Sequence, residues 1–315
     1  MFGKKGGKSV RLFFTSDLHG SDVTFRKFLN ASKMYEADVL IIGGDLAGKA
    51  LATIIDKGNG VYEFDGKEYT SDRLQVLTKE LSEKGVYYKV VTHTELEELS
   101  ENKRAQEEAF KQAITDKLRS WSDVVRSKGI NVPIYYNLGN DDPEYAAEAI
   151  PPEVMKRSEG EVIPLPGNYE MISYGVVNPT PWNTYREAPE EKIHSEIKRM
   201  MDKVSDPSRT VVNVHAPPYG TNLDNAFKLT SDLRPVVRGG EIETDHVGSK
   251  SVRKVIEEFK PLLGIHGHIH ESRGFDRIGE TLIFNPGSEY NAGILHALLV
   301  ILENGKVKTH QFITG

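Results

Sequence analysis

The sequence predicts an α/β protein, and three features of it carry that prediction: short, nearly continuous apolar runs, amphipathic segments between them, and polar residues gathered where the runs stop. The runs "VRLFFTS", "ADVLIIGG", "VPIYYNLG", "TVVNVH", "KPLLGIHG" and "GETLIFNPG" suit strands covered on both faces. Between them, "VTFRKFLNASKMYEA" spaces Val23, Phe25, Phe28, Leu29 and Met34 as one helical stripe. "SKSVRKVIEEF" does the same with Val252, Val255, Ile256 and Phe259.

The residues that close the strands are chemically alike. Open α/β sheets bind ligands beyond the carboxyl ends of their strands. Here those ends present Asp17 and His19, then Asp45, then Asn140 and Asp141, then His215, and last His268 and His270.

Composition narrows the chemistry. The chain of 315 residues holds no cysteine, so thiolate metal sites, disulfides and a cysteine nucleophile are excluded, and a metal site must use imidazole and carboxylate. A net charge of −6 argues against broad binding to nucleic acid or to an anionic membrane. No run approaches the roughly 18 to 20 apolar residues of a membrane span. The basic start "MFGKKGGKS" leads into a strand rather than an apolar leader, so a cytoplasmic protein is expected. That start reads as a solvated terminus, with anion binding as the alternative.

One domain is expected over residues 1–315, interrupted by a mainly helical insertion at about 46–131. The insertion opens with strand-like runs around Gly58-Asn59-Gly60, a hairpin signal. A helix over "SDRLQVLTKELSEKG", a strand "VYYKVVT" and a long helix from about Glu95 to Val125 follow. At 1.5 Å per residue the long helix would reach about 45 Å. Its stripe of Phe110, Ala113, Ile114, Leu118, Trp121 and Val125 serves either a cap on its own chain or a homo-oligomer contact.

Each polar residue has an ordinary reading when taken singly. Asp17 could cap a helix, Asp45 and Asn140 could shape turns, and His215 could be a hydrogen-bonded strand end. Together they form a set of seven nitrogen and oxygen ligands: Asp17, His19, Asp45, Asn140, His215, His268 and His270. That number suits two divalent ions with positions left for water and substrate. His268 and His270 share a face because the strand period is two.

In chain order these residues stand as Asp17-Leu18-His19, Gly44-Asp45, Gly139-Asn140-Asp141-Asp142, His215 and Gly267-His268-Ile269-His270. The five blocks resemble those of the calcineurin-like metallophosphoesterases. "HAPPYGTNLD", "HVGSKSVRKVIEE", "HGHIHES" and "NPGS" further resemble a prokaryotic subgroup of predicted phosphoesterases related to Icc. The resemblance covers residues 9–45 and 132–312 and leaves the insertion unmatched. It implies a four-layer α-β-β-α sandwich and two divalent ions, of manganese, iron, zinc, cobalt or nickel. Asp17, His19 and His270 would hold one and Asn140, His215 and His268 the other, with Asp45 bridging. A hydroxide held by both ions would attack phosphorus in line in a small phosphoester, with Asn140 facing the phosphate.

One position departs from the pattern. Many relatives carry a proton-donating histidine after the "GN" asparagine, where this chain has Asp141. Two dications would lower the Asp141 pKa and impair donation. A preference for diesters or activated esters is therefore expected. His246, ahead of a helix starting near Ser249, is a candidate substitute donor or, with Ser249, a phosphate contact. Asp142 reads as an orienting or capping group and His266 as packing beside the ligands. His93, His194, His296 and His310 read as ordinary surface or strand residues, and Tyr219 as a loop aromatic. The function expected is phosphoester hydrolysis, with a nuclease or a non-catalytic scaffold of the same fold as alternatives.

Overall fold

The computed structural model describes residues 9–230 and 232–315, so the basic start lies almost wholly outside the described residues. The apolar runs form two six-stranded sheets. In the first, the order is Lys306–Thr314, His296–Glu303, Val10–Thr15, Val39–Ile42, Ile134–Tyr136 and Lys156–Arg157. In the second, it is Gly274–Ile278, Thr281–Asn285, Leu263–Ile265, Thr210–Val214, Tyr169–Tyr174 and Val162–Leu165.

Alternation along one strand builds the layers. Val10, Leu12 and Phe14 enter a core with Ile163, Met171, Val211, Ile265 and Phe284 of the other sheet, while Phe13 turns to the opposite face. That opposite face is covered by helix Asp22–Met34 and the end of helix Lys103–Lys128. The outer face of the second sheet is covered by Glu190–Met201 and Lys250–Phe259. The result is the expected four-layer α-β-β-α sandwich.

Parallel pairing decides where the polar ends meet. Val10–Thr15, Val39–Ile42 and Ile134–Tyr136 run parallel, as do Tyr169–Tyr174, Thr210–Val214, Leu263–Ile265 and Thr281–Asn285. Their carboxyl ends therefore lie at one edge of each sheet. The edges are joined by the His268 amide, which donates to the Asp17 carboxylate, and by Ser288 Oγ, which donates to the Asp17 carbonyl at 2.7 Å.

The insertion carries a four-stranded sheet, ordered Lys67–Thr70, Val61–Phe64, Ala50–Gly58 and Val86–Val91, in which the hairpin around Gly58-Asn59-Gly60 is joined by two further strands. It differs from the expectation in its last part. The expected long helix is two helices, His93–Glu101 and Lys103–Lys128. The break is at Asn102, whose extended backbone leaves the first helix while its side chain accepts from the Ala105 amide and caps the second. A capping box between Thr92 and Glu95 fixes the start of the first. Among the described residues no helix is long and apolar enough to cross a membrane.

The apolar stripe of the second helix packs within its own chain. Ile114, Leu118, Trp121 and Val125 join the core with Phe25 and Phe28. Trp121 stacks on Phe25 with ring centroids 4.1 Å apart, and its indole N–H donates to Asp22 at 2.7 Å. Lys117 reaches the same carboxylate at 2.9 Å. Burial works against the Asp22 charge, but Lys117, Ser82 and Trp121 outweigh it and hold the pKa below the usual value. Trp121→Ala should cost about 3–5 kcal/mol in urea unfolding, as expected for a buried aromatic that also leaves Asp22 short of a donor. A loss below about 1 kcal/mol would mean the insertion contributes little to the core.

Candidate metal centre

Five segments deliver the predicted ligands to one place, and the backbone adopts unusual conformations to do so. Asp17, His19, Asp45 and His268 have φ values of 57°, 40°, 52° and 69°, in the left-handed region that non-glycine residues enter at a cost. Hydrogen bonds between the loops hold them there: the Asp17 amide donates to the Gly44 carbonyl at 3.0 Å and the His19 amide to the Asp45 carbonyl at 2.9 Å. Two glycines are required by close approach. A Cβ on Gly139 would lie 2.0 Å from Asp45 Oδ1, and one on Gly267 would lie 2.5 Å from Asp17 Oδ2.

Asp142 ties two of the loops together. Its carboxylate accepts from the amides of Leu46 at 3.0 Å, Ala47 at 2.7 Å and Gly139 at 2.8 Å. Burial and the charge of Asp45 push its pKa up to about 7, against those three donors.

The donor atoms converge. Asp17, His19 and His270 form one group with atoms within 4.8 Å of one another, and Asp17, Asp45 and His215 form a second. His19, Asp45 and Asp141 form a third on the same criterion of 4.8 Å. Asp45 Oδ2 stands 3.4 Å from His215 Nε2 and 3.6 Å from His19 Nε2. His270 Nε2 lies 3.3 Å from Asp17 Oδ1 and 3.2 Å from His19 Nε2. The His268 ring is 5.4 Å from that of His215.

Two of these side chains carry a buried atom with no hydrogen-bond partner among the described residues: His215 Nε2 and Asn140 Oδ1. Each belongs to a side chain whose other end is held. His215 Nδ1 meets the Gly43 carbonyl at 2.8 Å, and Asn140 Nδ2 donates to Thr184 Oγ1 at 3.1 Å. The Thr184 hydroxyl in turn donates to Glu187. Buried polar atoms are nearly always paired, and these two belong to a site where the carboxylates of Asp17, Asp45 and Asp141 gather with Lys49 and the imidazoles. Nitrogen and oxygen donors with excess negative charge fit hard or borderline divalent cations.

The structure adds residues that the sequence did not mark. Lys49, half-exposed, places Nζ 2.6 Å from Asp141 Oδ2. Burial opposes its charge, but Asp45 and Asp141 raise its pKa. For Asp141, burial and then Asp45 raise the pKa, while Lys49 lowers it, so the expected depression rests on cations rather than on the protein's own groups. The Tyr290 ring lies 4.6 Å from that of His19 and 5.9 Å from that of His270.

Other predicted residues stand apart. His246 Nδ1 meets the buried Asp224 carboxylate at 2.8 Å, and Asp224 also accepts from the Gly220, Thr221 and Gly248 amides. Ser249 caps helix Lys250–Phe259: its hydroxyl accepts from the Val252 amide at 3.2 Å and donates to Glu190 at 2.7 Å. That hydroxyl has no hydrogen left for a phosphate, so its role is capping rather than substrate contact. Among the described residues, no hydrogen bond or ion pair links His246 or Ser249 to the ligand cluster. His266 is fully buried with Nδ1 on the Val214 carbonyl, and His296 pairs with Glu289.

The three buried imidazoles give the centre a pH signature. Burial and then Lys49 push His19 down to about 3, and burial and then His215 push His268 down to about 4. Burial also opposes the His215 charge, but Asp45 and Asp17 hold its pKa up at about 9. From about 4 to 6.5 the unfolded chain binds more protons at His19 and His268, so their contribution to stability rises with pH. From 6.5 to about 9 the native state binds more at His215, so stability falls. Melting of metal-free protein should show this contribution greatest near pH 6.5, with His215→Gln flattening the alkaline fall. An alkaline fall of equal size in the variant would exclude His215 as its source.

Comparison with known proteins agrees with this geometry. The family model of the calcineurin-like phosphoesterases matches residues 10–272. The uncharacterized protein MJ1162 of Methanocaldococcus jannaschii is 37% identical over 121 residues, which make up 38% of this chain and 48% of that protein. The match thus spans about half the length of that relative. The crystal structure of TT1561 of Thermus thermophilus is similar with a TM-score of 0.53 and 14% identity, over 98% of this chain and 99% of that one. Another solved structure gives a TM-score of 0.57 at 17% identity, over 98% and 99% of the two chains. The solved structures speak to the fold; the family match, carried over most of the chain and through the converging Asp and His residues, shows that this chain belongs to the calcineurin-like phosphoesterase family.

Proposed function

We propose that the protein hydrolyses phosphoesters with two divalent ions and favours diesters and esters with good leaving groups. The observation that carries the reading is Asp45, whose carboxylate stands within 3.4 Å of His215 Nε2 and 3.6 Å of His19 Nε2 and so reaches both ligand sets. Asp17, His19 and His270 would hold one ion and Asn140, His215 and His268 the other. When bound, such ions supply Lewis-acid charge for phosphoryl oxygens and acidify water.

The chain's own groups do the rest. Thr184 holds the Asn140 amide through its Nδ2 and leaves the buried Oδ1 without a hydrogen-bond partner among the described residues, available to a cation. The carbonyls of Gly43 and Ala47 meet Nδ1 of His215 and His19, which leaves the Nε2 lone pairs free as ligands. Lys49 brings a positive charge beside the ligands, where a phosphate carries negative charge.

At the position where many relatives carry a histidine, Asp141 accepts from Lys49 as a paired carboxylate. With cations bound beside it, that carboxylate would be held charged and without a proton for a leaving oxygen. General acid assistance is commonly worth about 10² to 10⁴ in rate. The manganese-loaded protein should therefore cleave bis(p-nitrophenyl) phosphate readily, and p-nitrophenyl phosphate at least about 10²-fold faster than ethyl phosphate. Equal rates on the two monoesters would show that proton donation is intact and remove the proposed preference.

A further inference from the structure

We propose that the insertion forms a binding cavity for an apolar, ring-sized group carried by the phosphoester; this rests on the phosphoesterase reading of the metal centre. A cavity of about 370 Å³ lies between the insertion's sheet and its two last helices. That volume falls within the range of small-molecule sites, which is about 300–1,000 Å³. Leu51, Leu96, Leu99 and Phe110 supply its apolar walls.

The break at Asn102 makes the concavity. A single straight helix would run past the sheet, whereas the elbow turns helix His93–Glu101 back against strand Ala50–Gly58. Gln106 closes the elbow by donating to the Leu99 carbonyl at 2.6 Å. The walls therefore come from elements already held by their own hydrogen bonds.

Lys49 joins the cavity to the metal centre. It lines the cavity, and its Nζ lies 2.6 Å from Asp141, whose carboxylate groups with His19 and Asp45 within 4.8 Å. One side chain thus separates an apolar slot from the place where phosphate is expected. A ligand with an anionic end at Lys49 and a flat apolar end among the leucines matches this division of charge. The cavity is too small for a folded partner.

The test compares methyl p-nitrophenyl phosphate with α-naphthyl p-nitrophenyl phosphate on the full-length, manganese-loaded chain. In both, water oxygen bonds to phosphorus and the bond to p-nitrophenolate breaks, so only the retained group differs. Burying a naphthyl ring should raise kcat/KM by about tenfold or more over methyl. Ser100 is exposed on the cavity wall, so Ser100→Trp fills the space without disturbing the core. It should bring the ratio towards one, as should Leu96→Gln. Equal values for the two esters in the parent chain, or an unchanged ratio in both variants, would overturn the cavity. Should neither ester turn over, the reading of the centre fails and the cavity is judged by calorimetry of α-naphthylphosphonate against methylphosphonate. Tighter naphthyl binding that Ser100→Trp abolishes supports it, and equal binding overturns it.

Discussion

Two carboxylates, Asp17 and Asp45, are buried side by side at the meeting of the two sheets, where water cannot screen them. Charges so placed need compensation, and among the described residues it comes from Lys49 at the rim and from His215 when protonated. The rest of the architecture around the centre can be understood from this constraint. Imidazoles too deep to charge, His19 and His268, stand as neutral groups, and His215 Nε2 and Asn140 Oδ1 are buried without a hydrogen-bond partner among the described residues. The arrangement is costly for a metal-free protein and natural for one that binds cations.

Holding it requires a rigid frame. The ligands sit on loops, yet each loop leaves a parallel strand and is tied to its neighbour by backbone hydrogen bonds. Asp142 contributes no ligand atom to the groups that could hold a metal, but its three amide bonds align the Asp45 loop with the Asn140 loop. Strained conformations at Asp17, His19, Asp45 and His268 persist because the surroundings over-determine them, as is common where geometry serves chemistry.

Much of this was legible in the sequence for a simple reason: apolar strands that end in Asp, His and Asn announce a shared edge, and parity puts His268 and His270 together. The parts that were missed lacked such a pattern. Lys49 is one lysine in a loop, with no periodicity to set it apart. Asn102 interrupts a charged run of high helix propensity, and the continuous pattern outweighed the local capping signal. Thr92 and Glu95 did carry a capping-box signature that could have marked the first helix start. Ser249 was expected to contact phosphate on its place near a helix start, where its hydroxyl instead accepts from the Val252 amide and donates to Glu190.

The central claim is that one carboxylate, Asp45, serves two cations at once. Anomalous diffraction from crystals grown with manganese tests it most directly. Two manganese peaks about 3.5–4 Å apart, both in contact with Asp45, are the result this account predicts. A single peak, or peaks away from Asp45, would contradict it even if the protein hydrolysed phosphoesters.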